Sequence, residues 1–405
     1  MTAAASSNPS QLRYLPALGL ISAIGAFSVD MYLPAFPRMA AEFMAPQALV
    51  QLTLTTYAVA VAVGQLIYGP TSDMFGRKPP LYAGLVLYCI ASIGCALSPN
   101  VQTLLVMRFF QGLGSCSGII IGRAMVRDLY RGPDAVKMLA SLLLILGISP
   151  ILAPMCGSAI ATSASWRWVF GALTLVGLLC ISATATSLPE SHPLEARDSK
   201  GVGPFFRAYV RLFGEGTFLA RSAVIGLIYG IIYAWLAGAS LMYKIDYNID
   251  PNLFSVIFAS NAVGFIGTAQ FTPRLVRKFG PQRVALVGCA IAAAFQLPLA
   301  ILTHYEPPPI YLLYVLMFVG FASLGLILGP TTVLAMESQH QGVGAASALL
   351  GTIQFGMAAI TAAVVSVVAG PTEAGMFAVI SGCSLTSLAI GLFVLRPPKP
   401  AGTPA

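Results

Sequence analysis

Charged side chains are scarce in this sequence. Of its 405 residues only 9% are Asp, Glu, Lys or Arg, whereas soluble domains average roughly a quarter. The 22 basic and 14 acidic side chains are too few to cover the several soluble domains that a chain of this length would ordinarily form. An ordinary soluble enzyme, a disordered chain and a secreted disulfide scaffold are therefore excluded. The 57% of apolar residues instead indicate that lipid is the main solvent.

Residues that bind metals or perform covalent chemistry are also few. Seven cysteines lie in apolar runs without a CxxC pair, and His192, His304 and His340 are isolated from one another. Neither a GxxxxGK[ST] phosphate loop nor a GxSxG turn occurs. We therefore predict that the cysteines are packing residues. We also predict that the protein holds no cofactor or metal and is not an enzyme.

Long apolar segments recur along the chain with short polar breaks. Segments of this length must be helices in a bilayer, because unpaired backbone amides are not tolerated there. Twelve spans are predicted: Tyr14–Phe36, Leu49–Tyr68, Pro80–Leu97, Val101–Ile121, Met138–Ile160, Trp168–Leu188, Ser222–Met242, Leu253–Phe271, Val284–Leu302, Ile310–Leu328, Val343–Ala369 and Ala374–Leu395. The predicted fold class is an all-α membrane protein with twelve transmembrane helices. We take the first span as retained and not as a cleaved signal peptide.

One long charged segment, Pro189–Arg221, divides the spans six and six. We therefore predict a first six-helix bundle over residues 1–188, a central loop over 189–221 and a second bundle over 222–405. Within the loop, Phe205–Phe213 has the pattern of a short amphipathic helix; a solvated tether is favoured over a regulatory site. The two halves of the sequence are similar, since a Phe-Gly pair follows the second span of each half, at Phe75-Gly76 and at Phe279-Gly280. Two bundles related by a pseudo-twofold axis, with a substrate site between them, follow from this symmetry.

The basic residues predict the orientation. With both termini in the cytoplasm, 18 Lys and Arg residues fall on that side, and only Arg38, Arg167 and Lys244 fall on the other. This asymmetry accounts for the net charge of +8 without a nucleic-acid partner. The predicted partners are the lipid bilayer, protons and a small-molecule substrate, and the chain is expected to be a monomer.

Several motifs resemble those of a known family. Gly69–Pro79 (GPTSDMFGRKP) resembles the signature of the major facilitator superfamily, and Arg108–Gly114 (RFFQGLG) resembles the fourth-span pattern of its drug/proton antiporters. Gly147–Gly157 is similar to their fifth-span motif, although a Pro-x-x-Ala-Pro run replaces the usual central Gly-Pro. Asp30–Pro37 and Arg123–Tyr130 are similar to Bcr/CflA drug-resistance exporters. The resemblance implies a multi-pass protein of the bacterial cytoplasmic membrane.

Two charged side chains are candidates for proton coupling. Asp30 is the only carboxyl group well inside a predicted span, where a charge costs at least about 2.5 kcal/mol. Arg108 on span four lies at a matched depth, since the two residues are roughly 12 and 14 Å of helix from the outer surface. We predict that Asp30 carries the proton and that Arg108 tunes its affinity. A buried structural ion pair is the alternative.

The loop after span two is predicted to be a gate latch. Gly69-Pro70 would end span two, Gly76 would permit a tight turn, and Asp73 would pair with Arg77 or meet a helix N-terminus from the other half. Predicted gating residues are Gly69, Asp73, Gly76, Arg77, Arg127, Asp128, Pro150, Pro154 and Gly157. Of these, Arg127 and Asp128 are candidate partners of the loop, and the prolines would kink span five. A loop that is merely basic is the alternative.

Candidate substrate-binding residues lie in both halves of the chain. On span four, Arg108, Gln111, Gly112 and Ser115 share one face, which we expect to line a wet cavity while small residues let a neighbouring helix approach. Substrate-binding candidates are Tyr32, Tyr57, Gln111, Tyr229, Tyr233, Trp235, Asn261, Phe265 and Gln354. Each of these aromatic residues has a lipid-facing or core position as its alternative.

Together these features predict a proton-coupled antiporter that exports small amphipathic drugs of the chloramphenicol or bicyclomycin type by alternating access. The alternative is a carrier for one natural metabolite, such as a nucleoside, an amino acid or a siderophore. A membrane enzyme or a channel would need a catalytic cluster or a continuous polar pore, and the sequence indicates neither.

Overall fold

The computed structural model describes residues 13–130, 133–193, 203–305, 307–337, 339, 343–367 and 373–395. Its α-helices are α1 Leu15–Asp30, α2 Phe36–Glu42, α3 Gln47–Phe75, α4 Lys78–Ala96, α5 Val101–Leu129, α6 Pro133–Ser163, α7 Arg167–Ser187, α8 Gly203–Phe213, α9 Gly216–Ile245, α10 Pro251–Phe279, α11 Pro281–Tyr305, α12 Ile310–Met336, α13 Val343–Val367 and α14 Glu373–Val394. A 3₁₀ turn, Leu33–Ala35, separates α1 from α2. The described residues contain no β-strand.

Twelve segments are long and apolar enough to cross a membrane, which confirms the predicted number of spans. Helices α1 and α2 with the turn between them form the first of these, Leu15–Glu42. The predicted end of span eleven, Ala369, lies outside the described residues. The predicted amphipathic helix of the central loop is α8, whose Leu212 is buried with Phe218, Ala345 and Leu349 of the second bundle.

The first span is not one continuous helix, contrary to the prediction. Helix α1 ends at Asp30, and the chain passes through the 3₁₀ turn before α2 begins at Phe36. Pro34 and Pro37 have no N–H group to continue the hydrogen-bond ladder, and each lies in the first turn of a new element. The break leaves Asp30 at the C-terminal end of a helix in the interior of the protein.

The predicted end of span two was also wrong. Helix α3 continues through Pro70 to Phe75, so Gly69-Pro70 lies inside it. The turn comes at Gly76, whose φ of 91° favours glycine, as predicted. Gly280 has a φ of 83° at the corresponding turn between α10 and α11. We call the membrane face with these two turns the basic face, because Arg77, Lys78, Arg277 and Lys278 lie there; it is the face predicted to be cytoplasmic.

Helices α1 to α7 pack with one another, and so do α9 to α14. In the first group α5 lies against α1, α3 and α4, and in the second α9 lies against α12, α13 and α14. Between the groups, α3 packs against α13 and α6 packs against α10. At the membrane face opposite the basic face, α2 and the 3₁₀ turn also touch α9. The groups are therefore in contact along two sides and at that opposite face.

Candidate functional site

Arg108 lies between two tyrosine rings in the interior of the first bundle. Its side chain is completely buried. The guanidinium carbon is 4.0 Å from the centre of the Tyr32 ring and 4.4 Å from the centre of the Tyr57 ring. Cation–π contacts of this kind are strongest where water is excluded. The electron-rich faces of the two rings therefore stabilise the buried positive charge.

The remaining contacts of Arg108 are with neutral groups. Its Nη1 donates to the Ser28 carbonyl oxygen at 3.1 Å and to Gln111 Oε1 at 2.5 Å. Gln111 Nε2 in turn donates to Ser92 Oγ at 2.8 Å. Arg108 Nε and Nη2 are buried and have no hydrogen-bond partner. Buried cations normally have a carboxylate partner, and among the described residues this arginine has none.

Asp30 and Arg108 form no salt bridge. Asp30 is 6% exposed, and no hydrogen bond or ion pair to it occurs within the described part of the chain. The alternative of a structural ion pair is therefore wrong for this conformation. Asp30 ends α1, and the 3₁₀ turn that follows it touches α9 and α10 of the second bundle. The carboxyl group thus lies where the two bundles meet.

The polar face of α5 is packed against its neighbours, and this corrects the expectation of a wet cavity. Arg108, Gln111, Gly112 and Ser115 are all buried. A Cβ atom at Gly112 would lie 2.5 Å from the Tyr57 carbonyl oxygen, and Ser115 Oγ is hydrogen-bonded to the Tyr57 hydroxyl at 2.6 Å. The small residues let α3 approach α5 closely along this face.

Tyr32, Tyr57 and Gln111, which were predicted to bind substrate, all have partners inside the first bundle. Tyr57 and Gln111 make the bonds given above, and the Tyr32 hydroxyl is 3.3 Å from Thr53 Oγ1. They surround Arg108 and are fully buried. In this conformation these three side chains hold Arg108 in place.

Two aromatic candidates of the second bundle, Tyr229 and Tyr233, form a separate cluster with Phe355. The Tyr229 and Tyr233 rings lie 5.4 and 6.1 Å from the ring of Phe355, with each pair edge-on. Phe355 was missed by sequence reasoning, although it directly follows the candidate Gln354, which is half-buried. Tyr229 is only partly buried. Three aromatic rings on α9 and α13 therefore form one wall, which we call the aromatic wall (Tyr229, Tyr233 and Phe355).

Asn261, Phe265 and Trp235 lie elsewhere in the second bundle. Asn261 is 1% exposed; its Nδ2 donates to the Ile257 carbonyl oxygen at 3.1 Å, and its Oδ1 has no partner. Trp235 is stacked on Phe258 with ring centres 4.9 Å apart, and its Nε1 has no partner. Phe265 is partly buried and packs against the core. The structure does not bring these residues together with the aromatic wall.

Arg77 is the centre of the predicted latch. It forms an ion pair with Asp73 one turn earlier, and its Nε donates to Asp128 Oδ2 at 2.7 Å. Burial lowers the pKa of Arg77, but the hydrogen bonds and charges of Asp128 and Asp73 outweigh this effect and raise it overall. Arg127, the other predicted partner, is exposed and makes none of these contacts. The network thus ties the turn after α3 to the end of α5.

Glu190 completes the latch and was missed as a functional residue. Its two carboxylate oxygens accept hydrogen bonds from the backbone N–H groups of Arg77 and Lys78, at 2.9 and 3.0 Å. These two groups lie at the N-terminal end of α4, where a carboxylate is favoured. The signal was available in the sequence, since Glu190 is the first acid after span six.

Helix α6 contains both prolines of the fifth-span motif and lies between the bundles. Pro150 and Pro154 are inside a helix that continues to Ser163. The Pro154 carbonyl oxygen accepts a hydrogen bond from Ser255 of α10 at 3.3 Å. Gly157 lies directly on the Met31 carbonyl oxygen, where any Cβ atom would overlap it. The motif therefore brings α6 into contact with the broken first span and with the second bundle.

Three further contacts join the bundles. Ser158 Oγ donates to Asn252 Oδ1 at 3.0 Å, on the side opposite the basic face. Thr352 Oγ1 of α13 donates to the Ala62 carbonyl oxygen of α3 at 3.2 Å, and Gly69 approaches Ala348 further along the same pair of helices.

Among the described residues, no group of three or more His, Cys, Asp or Glu side chains is placed to hold a metal ion.

Comparison with known proteins agrees with this architecture. The chain is 33% identical to an uncharacterized MFS-type transporter of Bacillus subtilis, covering 86% of this chain and 87% of the relative. It is 26% identical to a bicyclomycin resistance protein homolog of Haemophilus influenzae, covering 93% and 94%. The crystal structure of a D-xylose-proton symporter has the same fold, with a TM-score of 0.74, 16% identity and coverage of 95% and 97%. Residues 18–362 match the Major Facilitator Superfamily, and the chain belongs to that family of membrane transporters.

Proposed function

We propose that this protein is a proton-coupled antiporter that exports small amphipathic compounds across the bacterial cytoplasmic membrane by alternating access. One observation carries the proposal: Asp30 is a buried carboxyl group without a partner among the described residues, and it lies next to the 3₁₀ turn that touches the second bundle. A carboxylate in such a site is costly, so its protonation state and its surroundings are strongly coupled. Rearrangement of the bundles would change those surroundings and thereby load or release a proton.

Arg108 has a supporting role in this scheme. Its two unpartnered donors and the Asp30 carboxyl are on neighbouring helices of one bundle. When Asp30 loses its proton, the positive charge of the guanidinium in the same bundle would favour the charged form, and when Asp30 gains it, the tyrosine rings still stabilise the cation. The arginine would therefore tune proton affinity without being permanently neutralised.

The contacts between the bundles support alternating access. Bonds such as Ser158–Asn252 are single neutral hydrogen bonds, typically worth about 1 kcal/mol each, and a rocking motion could exchange them readily. The Arg77 latch lies at the basic face, which we take to be cytoplasmic, together with both termini. We further propose that the chain acts as a monomer of two six-helix bundles, residues 1–188 and 222–405, joined by the loop 189–221.

The kind of substrate is inferred from the relatives and from the walls of the site. A relative that covers nearly all of the chain is described as a bicyclomycin resistance protein homolog, and the second bundle offers an aromatic wall suited to amphipathic molecules. Carriage of a single natural metabolite is the competing function. A competition panel separates the two, because a metabolite carrier would be inhibited by one compound and its analogues and would ignore unrelated drugs.

The test of the proposal is drug transport in proteoliposomes with an imposed pH gradient. Asp30→Asn should abolish transport driven by the gradient, while the protein still folds and still exchanges substrate without a gradient. Glu42→Gln is the matched control, because Glu42 lies at the end of the same span but is paired with Arg167 and more exposed. Full gradient-driven transport by Asp30→Asn would overturn the proposed role of this residue.

A further inference from the structure

Two carboxyl groups are buried among the described residues, and the proposed transport scheme uses only one of them. The first is Asp30, and the second is Glu373, which is 6% exposed in the first turn of α14. The spans alternate in direction from the basic-face turn at Gly280, so α14 begins at the opposite face. A buried carboxylate is costly unless it is paired, so the contacts of Glu373 indicate whether it is charged.

One hydroxyl group contacts Glu373. The Tyr247 hydroxyl oxygen, between α9 and α10, is 3.2 Å from Glu373 Oε2 and 2.9 Å from the Pro308 carbonyl oxygen, between α11 and α12. A tyrosine hydroxyl has one hydrogen, and a carbonyl oxygen can only accept. Tyr247 donates to Pro308, the nearer acceptor. Its contact with Glu373 is therefore a hydrogen bond only when the carboxyl group is protonated and donates.

The other surroundings of Glu373 also favour the protonated form. Glu373 Oε1 is buried and has no hydrogen-bond partner, and no salt bridge to Glu373 occurs within the described part of the chain. The N-terminus of a helix attracts negative charge, but neither carboxyl oxygen accepts a hydrogen bond from an N–H group of α14. An ionised Glu373 would share one hydroxyl hydrogen with Pro308 and have no other donor.

The titratable groups around Glu373 do not supply a cation partner. Helix α14 packs against α9, α11 and α13, and α13 has no titratable side chain between Val343 and Val367. Those at the ends of α9 and α11 and in the connection to α10 are Tyr243, Lys244, Asp246, Tyr247, Asp250, His304 and Tyr305, while Glu306 lies outside the described residues. Lys244 and His304 are exposed and form no salt bridge among the described residues. Asp246 would oppose a second negative charge beside Tyr247.

We propose that Glu373 is a second proton-binding group, on the face opposite the basic face, and that its proton closes a pH-sensitive clasp. The clasp consists of the Glu373 carboxyl group, the Tyr247 hydroxyl group and the Pro308 carbonyl group. It connects the start of α14 to the α9–α10 and α11–α12 connections. Loss of the proton leaves two acceptor oxygens facing each other and opens the clasp. The second bundle therefore responds to the pH at this face independently of Asp30.

Infrared spectroscopy of the purified full chain tests the proton directly, because a protonated carboxyl group and a carboxylate absorb at different frequencies. The parent protein and all variants carry Asp30→Asn, which removes the other buried carboxyl group. At about pH 7, where an exposed glutamate is ionised, Glu373→Gln should lose a protonated-carboxyl absorption that the parent shows. Asp246→Asn is the matched control and should keep it, because Asp246 is exposed and adjoins Tyr247. Loss of a carboxylate absorption in Glu373→Gln instead would overturn the proposal.

Tyr247→Phe tests the clasp itself, and it also carries the test if Glu373→Gln does not fold. It removes the acceptor of the carboxyl proton, so the protonated-carboxyl absorption should shift to higher frequency or disappear. Thermal unfolding at about pH 6 and about pH 9 is the second measurement. The parent should lose more stability with rising pH than Glu373→Gln, whose amide group donates at both pH values. An unshifted absorption in Tyr247→Phe, or an equal loss of stability in parent and Glu373→Gln, would contradict the clasp.

Discussion

The Arg108 guanidinium carbon is 4.4 Å from the centre of the Tyr57 ring, both side chains are buried, and no carboxylate among the described residues forms a salt bridge with Arg108. The Tyr57 hydroxyl group is also hydrogen-bonded to Ser115 Oγ, which is on the same helix as Arg108. One tyrosine therefore both covers the charged group and connects α3 to α5. The proposed proton-coupling site depends on this contact, because it keeps the arginine in place without a bond to Asp30.

The ring of Tyr57 should be more important than its hydroxyl group. Tyr57→Leu removes the cation–π contact and should lower the stability of the folded protein in detergent by about 1–2 kcal/mol. Tyr57→Phe keeps the ring and should cost less, since only the hydroxyl group's bonds to Ser115 and to the Gly25 carbonyl oxygen are lost. Thermal unfolding of the two variants measures the difference. Equal loss of stability in both would show that the ring does not stabilise Arg108.

Gly112 should not tolerate a side chain. A Cβ atom there would lie 2.5 Å from the Tyr57 carbonyl oxygen and 3.1 Å from the Tyr57 Cα, which are backbone atoms that cannot turn aside. Gly112→Ala should separate α3 from α5, destabilise the protein by at least about 1–3 kcal/mol and reduce its yield. Gly356→Ala is the control, because a Cβ atom there has no heavy atom within 4 Å. Yield and monodispersity of the purified variants are the measurements.

The latch should depend on the shape of the Arg77 side chain as well as on its charge. Arg77 contacts Asp73, Asp128 and Ser72 at once. Lysine has one compact ammonium group and cannot reach all three, so Arg77→Lys should lower transport several-fold. Lys278→Arg, a change of the same two residue types at the corresponding turn of the second half, is the control. Undiminished transport by Arg77→Lys would contradict a gating role.

A covalent link across the bundles should arrest the transport cycle. Ser158 and Asn252 are hydrogen-bonded across the junction of α6 and α10. The double variant Ser158→Cys, Asn252→Cys, with Cys156→Ser to remove the exposed neighbouring thiol, should form a disulfide on oxidation and stop transport. Reduction should restore it. Transport that continues with the disulfide intact would mean that the two helices do not separate at this point during the cycle.

The sequence was informative wherever a local rule decides the outcome. Twelve helices were predictable because hydrocarbon leaves backbone amides no partner outside the segment. The turn at Gly76 was predictable because a positive φ favours glycine. The helix break after Asp30 was missed, although Pro34 and Pro37 were visible, because prolines in a membrane span often remain inside one helix. Pro70, Pro150 and Pro154 do so here.

The partners of the charged side chains could not be predicted in the same way. Asp30 and Arg108 were placed at matched depth, but depth does not determine which way a side chain turns. Arg108 is directed toward Ser28, Gln111 and two tyrosine rings because Gly112 lets α3 pack closely beside it. Glu190 became the cap of α4 because the end of span six folds back beside the turn after α3.

The amino-acid sequence by itself determined that this chain lies in a membrane, how many times it crosses, and where its acidic and basic residues fall along each span. These properties depend on composition, on the spacing of apolar residues and on local backbone conformation. Only the tertiary structure decided that Asp30 stays unpaired at the junction of the bundles while Arg108 is covered by aromatic rings. That outcome depends on the distances between helices, which are set by packing among residues far apart in the chain.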